Sequence, residues 1–216
     1  MMSFWHRSSG ILKDFAARFA VTRDNEPIRS VPELTRFVIS RSAFVAQHKL
    51  YGYVKTRMGT RYPAMFEDDR FIQSLNIAKM HVFAACLSDL AVHAVAKATS
   101  GMDAVARNGL AAAIYNDGIA EYAAHASGEG DAPAWKAAFA ERLTKVNWEN
   151  VAAGADAFTA SPKALVRWAP ISEDLKRYDV EIVRNSVRFA WHEVIRALRK
   201  RLDAEAIQAE LSGAPN

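Results

Sequence analysis

Apolar residues recur at three- and four-residue intervals along most of this chain, and no segment alternates apolar and polar positions for long. That spacing belongs to amphipathic helices rather than strands. Alanine is abundant while glycine and proline are sparse, which points the same way. The pattern predicts an all-α fold: a single-domain helical bundle of about six or seven helices with a long C-terminal helix.

Punctuation along the chain sets the boundaries. Ser30-Val-Pro-Glu33 has the form of a capping box, in which the serine hydroxyl and the glutamate carboxylate each satisfy a first-turn N–H. Pro32 suits that turn, where its missing donor leaves nothing unpaired. A helix is predicted from there to Gly59, a residue fit for the position after a helix end. FEDDRF, residues 66–71, opens the next, with acids at the positive end of the helix dipole. That helix runs to about Ala98 and is stopped by TSG, residues 99–101. A third is expected over about 102–126, ended by SGEG, and a fourth from Pro133 through about Ala153. Ser161-Pro162 begins a short one, and Ser172, followed by Glu173 and Asp174, caps the last. No linker is long enough to separate domains. The expected organisation is an N-terminal amphipathic helix or arm over residues 1–22 and one helical domain over 23–216.

The last helix carries Val180, Val183, Val187, Ala190, Trp191, Val194, Ile195, Leu198 and Leu202 on one broad face. Tyr178, Ile182 and Phe189 lie opposite, so its first half is apolar on two faces, as in a centrally packed helix. His192, Arg196, Arg199 and Lys200 point away from the main apolar face. At the other end of the chain, Phe4, Ile11, Leu12, Phe15 and Phe19 cluster on one side of a helix that also carries His6, Arg7, Lys13 and Arg18. Such a helix docks on its own domain or lies in a bilayer interface.

Charge and composition narrow the function classes. The net charge of +4 is spread thinly, with basic ends around a mildly acidic middle. A nucleic-acid binder concentrates its basic residues on one face, so no specific nucleic acid is expected as a partner. The single cysteine, Cys86, excludes an internal disulfide and fits a reducing cytoplasm. No apolar run reaches the length of a spanning helix, and the start lacks the apolar core of a secretory signal. The expected location is cytoplasmic, with residues 1–20 as the one stretch suited to peripheral contact with an anionic membrane at the inner membrane surface.

Motifs for common chemistries are absent. There is no nucleophile elbow, phosphate loop, dinucleotide fingerprint or Cys-x-x-Cys pair, and no cofactor is implied. HEVIR, residues 192–196, imitates the zinc-protease pattern but places Arg196 where the second histidine belongs. Two adjacent helices each offer a carboxylate four residues from a histidine: Asp89 with His93, and Glu121 with His125, with Asp117 one turn before. On facing helices these five could hold a metal, or they are ordinary surface pairs. A second constellation, residues 48–71, sets Arg57, Arg61 and Tyr62 among tyrosines and lysines. With the basic end formed by Arg196, Arg199 and Lys200, it is a candidate anion or partner site. Alternatively, Glu67, Asp68 and Asp69 neutralise those arginines across the loop.

LYGYV at 50–54, the aromatic and acidic turn before Arg70-Phe71, and His81 on the next helix resemble the alphaproteobacterial ubiquinol–cytochrome c chaperone family. The resemblance covers about residues 43–95. It implies an all-helical assembly factor that binds a protein or membrane client and catalyses nothing. Two classes follow. One is a non-catalytic helical binding protein (an adaptor, assembly factor or regulator) with a protein partner. The other is a helical enzyme, metal-dependent or hydrolytic, using Asp89/His93 and Glu121/His125. The absence of a complete catalytic constellation favours the first.

Overall fold

A computed structural model describes residues 26–123 and 131–213. The expected arm at 1–22, and His125 with it, lie outside the described residues. What is described is all-helical, with eight helices of six residues or more: α1 Val31–Met58, α2 Asp69–Ala98, α3 Ala104–Ala123, α4 Ala132–Leu143, α5 Trp148–Ala153, α6 Ala160–Trp168, α7 Glu173–Arg201 and α8 Ala204–Leu211.

The boundaries follow side-chain chemistry. Ser30 and Glu33 form the capping box, both halves present, and Gly59 ends α1 at φ 53°, a conformation that favours glycine. Asp68 accepts from the N–H groups of Arg70 and Phe71 and so caps α2. The helix expected over Pro133 to Ala153 is two helices instead. Asn147 accepts from the Asn150 N–H and starts α5 afresh. This local bond outcompetes continuation of the helix. It also lets Trp148 bury and donate to the Asn108 side chain at 2.9 Å. A further helix, α8, follows the long one, with Asp203 as its N-cap.

The central element is α2, not α7. Nineteen of its thirty residues are buried, and it packs against α1, α3, α5, α6 and α8. By length and composition α2 could cross a bilayer, but most of its apolar stretch is already buried inside the bundle. Helix α7 sits at the edge against α1 and α6. Its Val183, Val187, Trp191, Val194 and Leu198 face the core, as its periodicity predicts. The second apolar face does not pack: Tyr178, Ile182 and Phe189 are 68%, 71% and 70% exposed. An apolar face read from periodicity says what a helix can bury, not whether a neighbour is supplied.

The two ends of the described chain are joined. The Ile28 N–H donates to the Arg201 carbonyl at 2.8 Å, and the Asp203 N–H donates to the Ile28 carbonyl at 3.0 Å. The Arg201 guanidinium donates to the Glu26 carbonyl, and the Glu210 carboxylate accepts from the Val31 N–H. Gln208 of α8 donates to the carbonyls of Ala98 and Ser100 at the open end of α2.

Candidate functional site

Of the residues singled out for metal, the four that are described, Asp89, His93, Asp117 and Glu121, fall into two separate places. Asp89 is wholly buried on α2. It accepts from Arg142 Nη1 at 2.7 Å and from the backbone N–H groups of Ala160 and Ser161 at 3.1 and 2.7 Å. Those N–H groups are unpaired donors at the start of α6, so Asp89 caps that helix from across the bundle. Arg142 donates further to Ser88 Oγ and to the Ala157 carbonyl, and Trp191 Nε1 donates to Ser161 Oγ at 3.0 Å. One network therefore ties α2, α4, α6 and α7 together.

His93, one turn on, is buried against Phe158 at 5.1 Å. Burial pushes its pKa down to about 4, with Lys97 acting in the same direction and Asp156 against it, so the ring is neutral. Asp117 and Glu121 lie on the exposed side of α3, while the neighbouring Gly118, Ile119 and Tyr122 face the core. Asp89 and His93 are inside the bundle, and Asp117 and Glu121 are outside. Among the described residues no three histidine, cysteine or acidic groups gather as a metal site.

Arg57 likewise has a structural task. Its guanidinium forms a two-pronged ion pair with the buried Asp179 of α7, whose Oδ2 also accepts from Tyr53 Oη at 2.9 Å. The loop acids do not neutralise it, since Asp68 is spent on capping α2. Arg61 stays exposed, and Tyr62 packs edge-on against Phe66 at 4.9 Å. Arg196 pairs with Glu193 one turn away, while Arg199 and Lys200 are exposed at the end of α7.

A different site emerges between α2, α4 and α6: an open cleft of about 350 Å³. Its aromatic wall is built around His81. The imidazole stacks on Trp168 with ring centres 3.4 Å apart and planes 2° from parallel. Trp135 meets the same ring edge-on and donates its indole N–H to His81 Nδ1 at 3.1 Å. An indole nitrogen only donates, so Nδ1 is the acceptor and the proton of the neutral imidazole sits on Nε2. Burial pushes the His81 pKa down, the Arg167 charge helps, and Asp131 opposes. The wall is thus held neutral and fixed in one tautomer, with Nε2–H as a donor.

The cleft is also basic. Lys163 and Arg167 stand one turn apart on α6, and both line it. Neither forms an ion pair with an acid among the described residues. The Arg167 guanidinium lies 5.4 Å from the centre of the Trp168 ring, a cation–π contact that aims the charge along the wall. Arg142 lines the floor with its charge already matched by Asp89. Tyr115 and Phe139, stacked at 4.0 Å, close the inner end.

Sequence reasoning missed this cleft because its walls come from positions 81, 135 and 163–168, which only tertiary packing unites. The one local signal was Lys163 and Arg167 at helical spacing beside Trp168. The class of protein defined here is a small helical bundle with an aromatic, basic cleft. In comparisons with known proteins, no family model matches the chain, and no curated protein or solved structure matches it.

Proposed function

We propose that this protein is a non-catalytic helical binding protein (an adaptor, assembly factor or regulator) whose recognition element is the cleft around His81. The ligand chemistry it suits is a carboxylate or phosphate carried on a flat, apolar body. One observation carries this reading: two cations that pair with no acid among the described residues stand beside a stacked indole–imidazole wall. A charge-assisted contact to each of Lys163 and Arg167 would fix the anion, and the rings would cover the flat body. A volume of about 350 Å³ admits a small molecule or a single terminal group of a larger partner. Catalysis is not part of the reading. His81 offers a donor rather than a free basic nitrogen, and the Asp89 carboxylate is committed to Arg142 and α6.

Intrinsic tryptophan fluorescence tests this directly, since Trp135 and Trp168 line the site. Titration with phenyl phosphate and with benzoate should quench or shift the emission saturably, whereas benzyl alcohol should not. Lys163→Ala and Arg167→Ala should each weaken binding about tenfold, the loss of one charge-assisted contact. Equal binding of the neutral analogue, or unchanged affinity in the double variant, would remove the reading.

A further inference from the structure

The exposed apolar residues of α7 form a seam. Leu175, Tyr178, Ile182, Asn185, Phe189 and His192 follow one another at intervals of three, four, three, four and three residues. All six are exposed. That alternation is the spacing of a coiled-coil contact line. It drifts only ~20° around the helix per seven residues, so the six side chains make one stripe. Val187 holds the position farthest from the stripe in this spacing, and it is buried in the core. The stripe therefore points squarely away from the bundle, while α7 packs on α1 and α6 by its other side.

Charges along one edge of the stripe say what fits it. Glu181 precedes Ile182 and Arg188 precedes Phe189, so the two hold the same place in successive repeats. Glu181 pairs only with Arg184 on its own helix, a weak surface contact. Arg188 forms no ion pair with an acid among the described residues. In an antiparallel pair of such helices, these edge positions face each other. A second copy whose Phe189 meets Tyr178 brings its Asn185 to Ile182 and its Arg188 to Glu181, and a twofold axis repeats every contact in reverse. The same register carries Arg196 to the acidic first turn of the mate, at Glu173 and Asp174, and opposes the two helix dipoles. A slip of seven residues either way would set Glu181 on Glu181 or Arg188 on Arg188. A parallel pair would stack Arg196 on Arg196. Each alternative brings like charges together, so the pattern selects one arrangement.

We propose that the outer face of α7 binds a second copy of this chain, as an antiparallel α7–α7 pair about a twofold axis between Ile182 and Asn185. Two Tyr178–Phe189 contacts supply the apolar burial at its ends. Two Glu181–Arg188 pairs fix direction and register. The two-sided apolar pattern of α7 then has a neighbour on each side, one from its own bundle and one from its mate.

Sedimentation equilibrium of the full chain tests this. A dimer is expected at ~100 µM, which populates any pair of micromolar Kd. Glu181→Arg and Arg188→Glu should each raise the dimer dissociation constant at least about tenfold, because each sets like charges together. The combined variant Glu181→Arg/Arg188→Glu, which exchanges the two charges, should recover most of that loss. Both positions are exposed, so circular dichroism should show all three variants folded. Phe189→Ser should also weaken the dimer, through its two lost ring contacts. A monomer at that concentration overturns the proposal. A dimer that both charge reversals leave intact places the contact elsewhere or makes it parallel, and overturns it too. So does a combined variant no tighter than the single ones. A monomer that pellets with phosphatidylcholine vesicles, and no longer does so as Phe189→Ser, would assign the stripe to lipid and equally overturn it.

Discussion

Asp89 and Arg142 meet at 2.7 Å, with the carboxylate wholly removed from solvent and the guanidinium on the floor of the cleft. The pair joins the core to the candidate site. Its value is structural, because removing one partner leaves a buried charge or unpaired donors. Arg142→Ala should destabilise the protein by about 3–5 kcal/mol in chemical denaturation. Asp89→Asn/Arg142→Met should be milder than the sum of its two single changes, as expected of one coupled unit. Strict additivity would show that the two groups do not act as a pair.

Acid should unfold the protein partly through His93. Its folded pKa of about 4 lies below the ordinary value of 6.5. Above pH 6.5 the ring is neutral whether folded or not, and the full stability is present. As pH falls from 6.5 toward 4, the unfolded chain takes up the proton first, and stability is lost across that window. The loss amounts to about 3 kcal/mol. His93→Phe, which keeps a ring against Phe158, should flatten the decline of the melting temperature between pH 6.5 and 4. An unchanged slope would assign the acid sensitivity to other groups.

Legibility in the sequence followed the range of the interactions. The caps of α1 were readable because Ser30, Glu33 and Gly59 act within one turn of their own helix, and the start of α2 showed as acids at its positive end. The break at Asn147 was missed because it depends on where Trp148 finds space, a tertiary matter. Asp89 read as a metal-binding candidate for the same reason. A carboxylate four residues from a histidine looks alike whether it faces a metal or caps a helix seventy residues away. Arg57 shows the limit again, since its partner Asp179 lies far along the chain and the nearby acids were the natural guess. The cleft around His81 needed three remote segments and had no local pattern of its own.

The facing of α7 makes a sharp contrast measurable. Trp191 is 1% exposed and donates to Ser161 Oγ, so Trp191→Ala opens a cavity and removes a hydrogen bond. It should lower stability by about 3–5 kcal/mol. Val187→Asp puts a carboxylate into the same apolar layer and should prevent folding or lower stability at least as far. Arg199→Ala, on the exposed face, should stay within about 0.5 kcal/mol of the parent. Comparable effects in all three would mean that the helix is rotated from its described position.

Two glycines on α3 should respond to the same substitution with opposite signs. Gly118 faces α2 and α1, and a Cβ added there would stand 2.6 Å from Leu87 Cδ2 and 3.1 Å from Ile39 Cγ1. Both neighbours are buried in a packed core, so neither can withdraw without moving others. Gly118→Ala should therefore lower stability by about 1–3 kcal/mol, the ordinary result of overpacking, although alanine is the better helix former. Gly109 lies nine residues earlier on the exposed side, with nothing within 4 Å of the added atom. Gly109→Ala should raise stability by up to about 1 kcal/mol, since only helix propensity changes. Denaturation midpoints of the two variants at equal concentration decide it. Stabilisation by both would show that α3 stands further from α2 than described, and that Gly118 is not where the two helices make their closest approach.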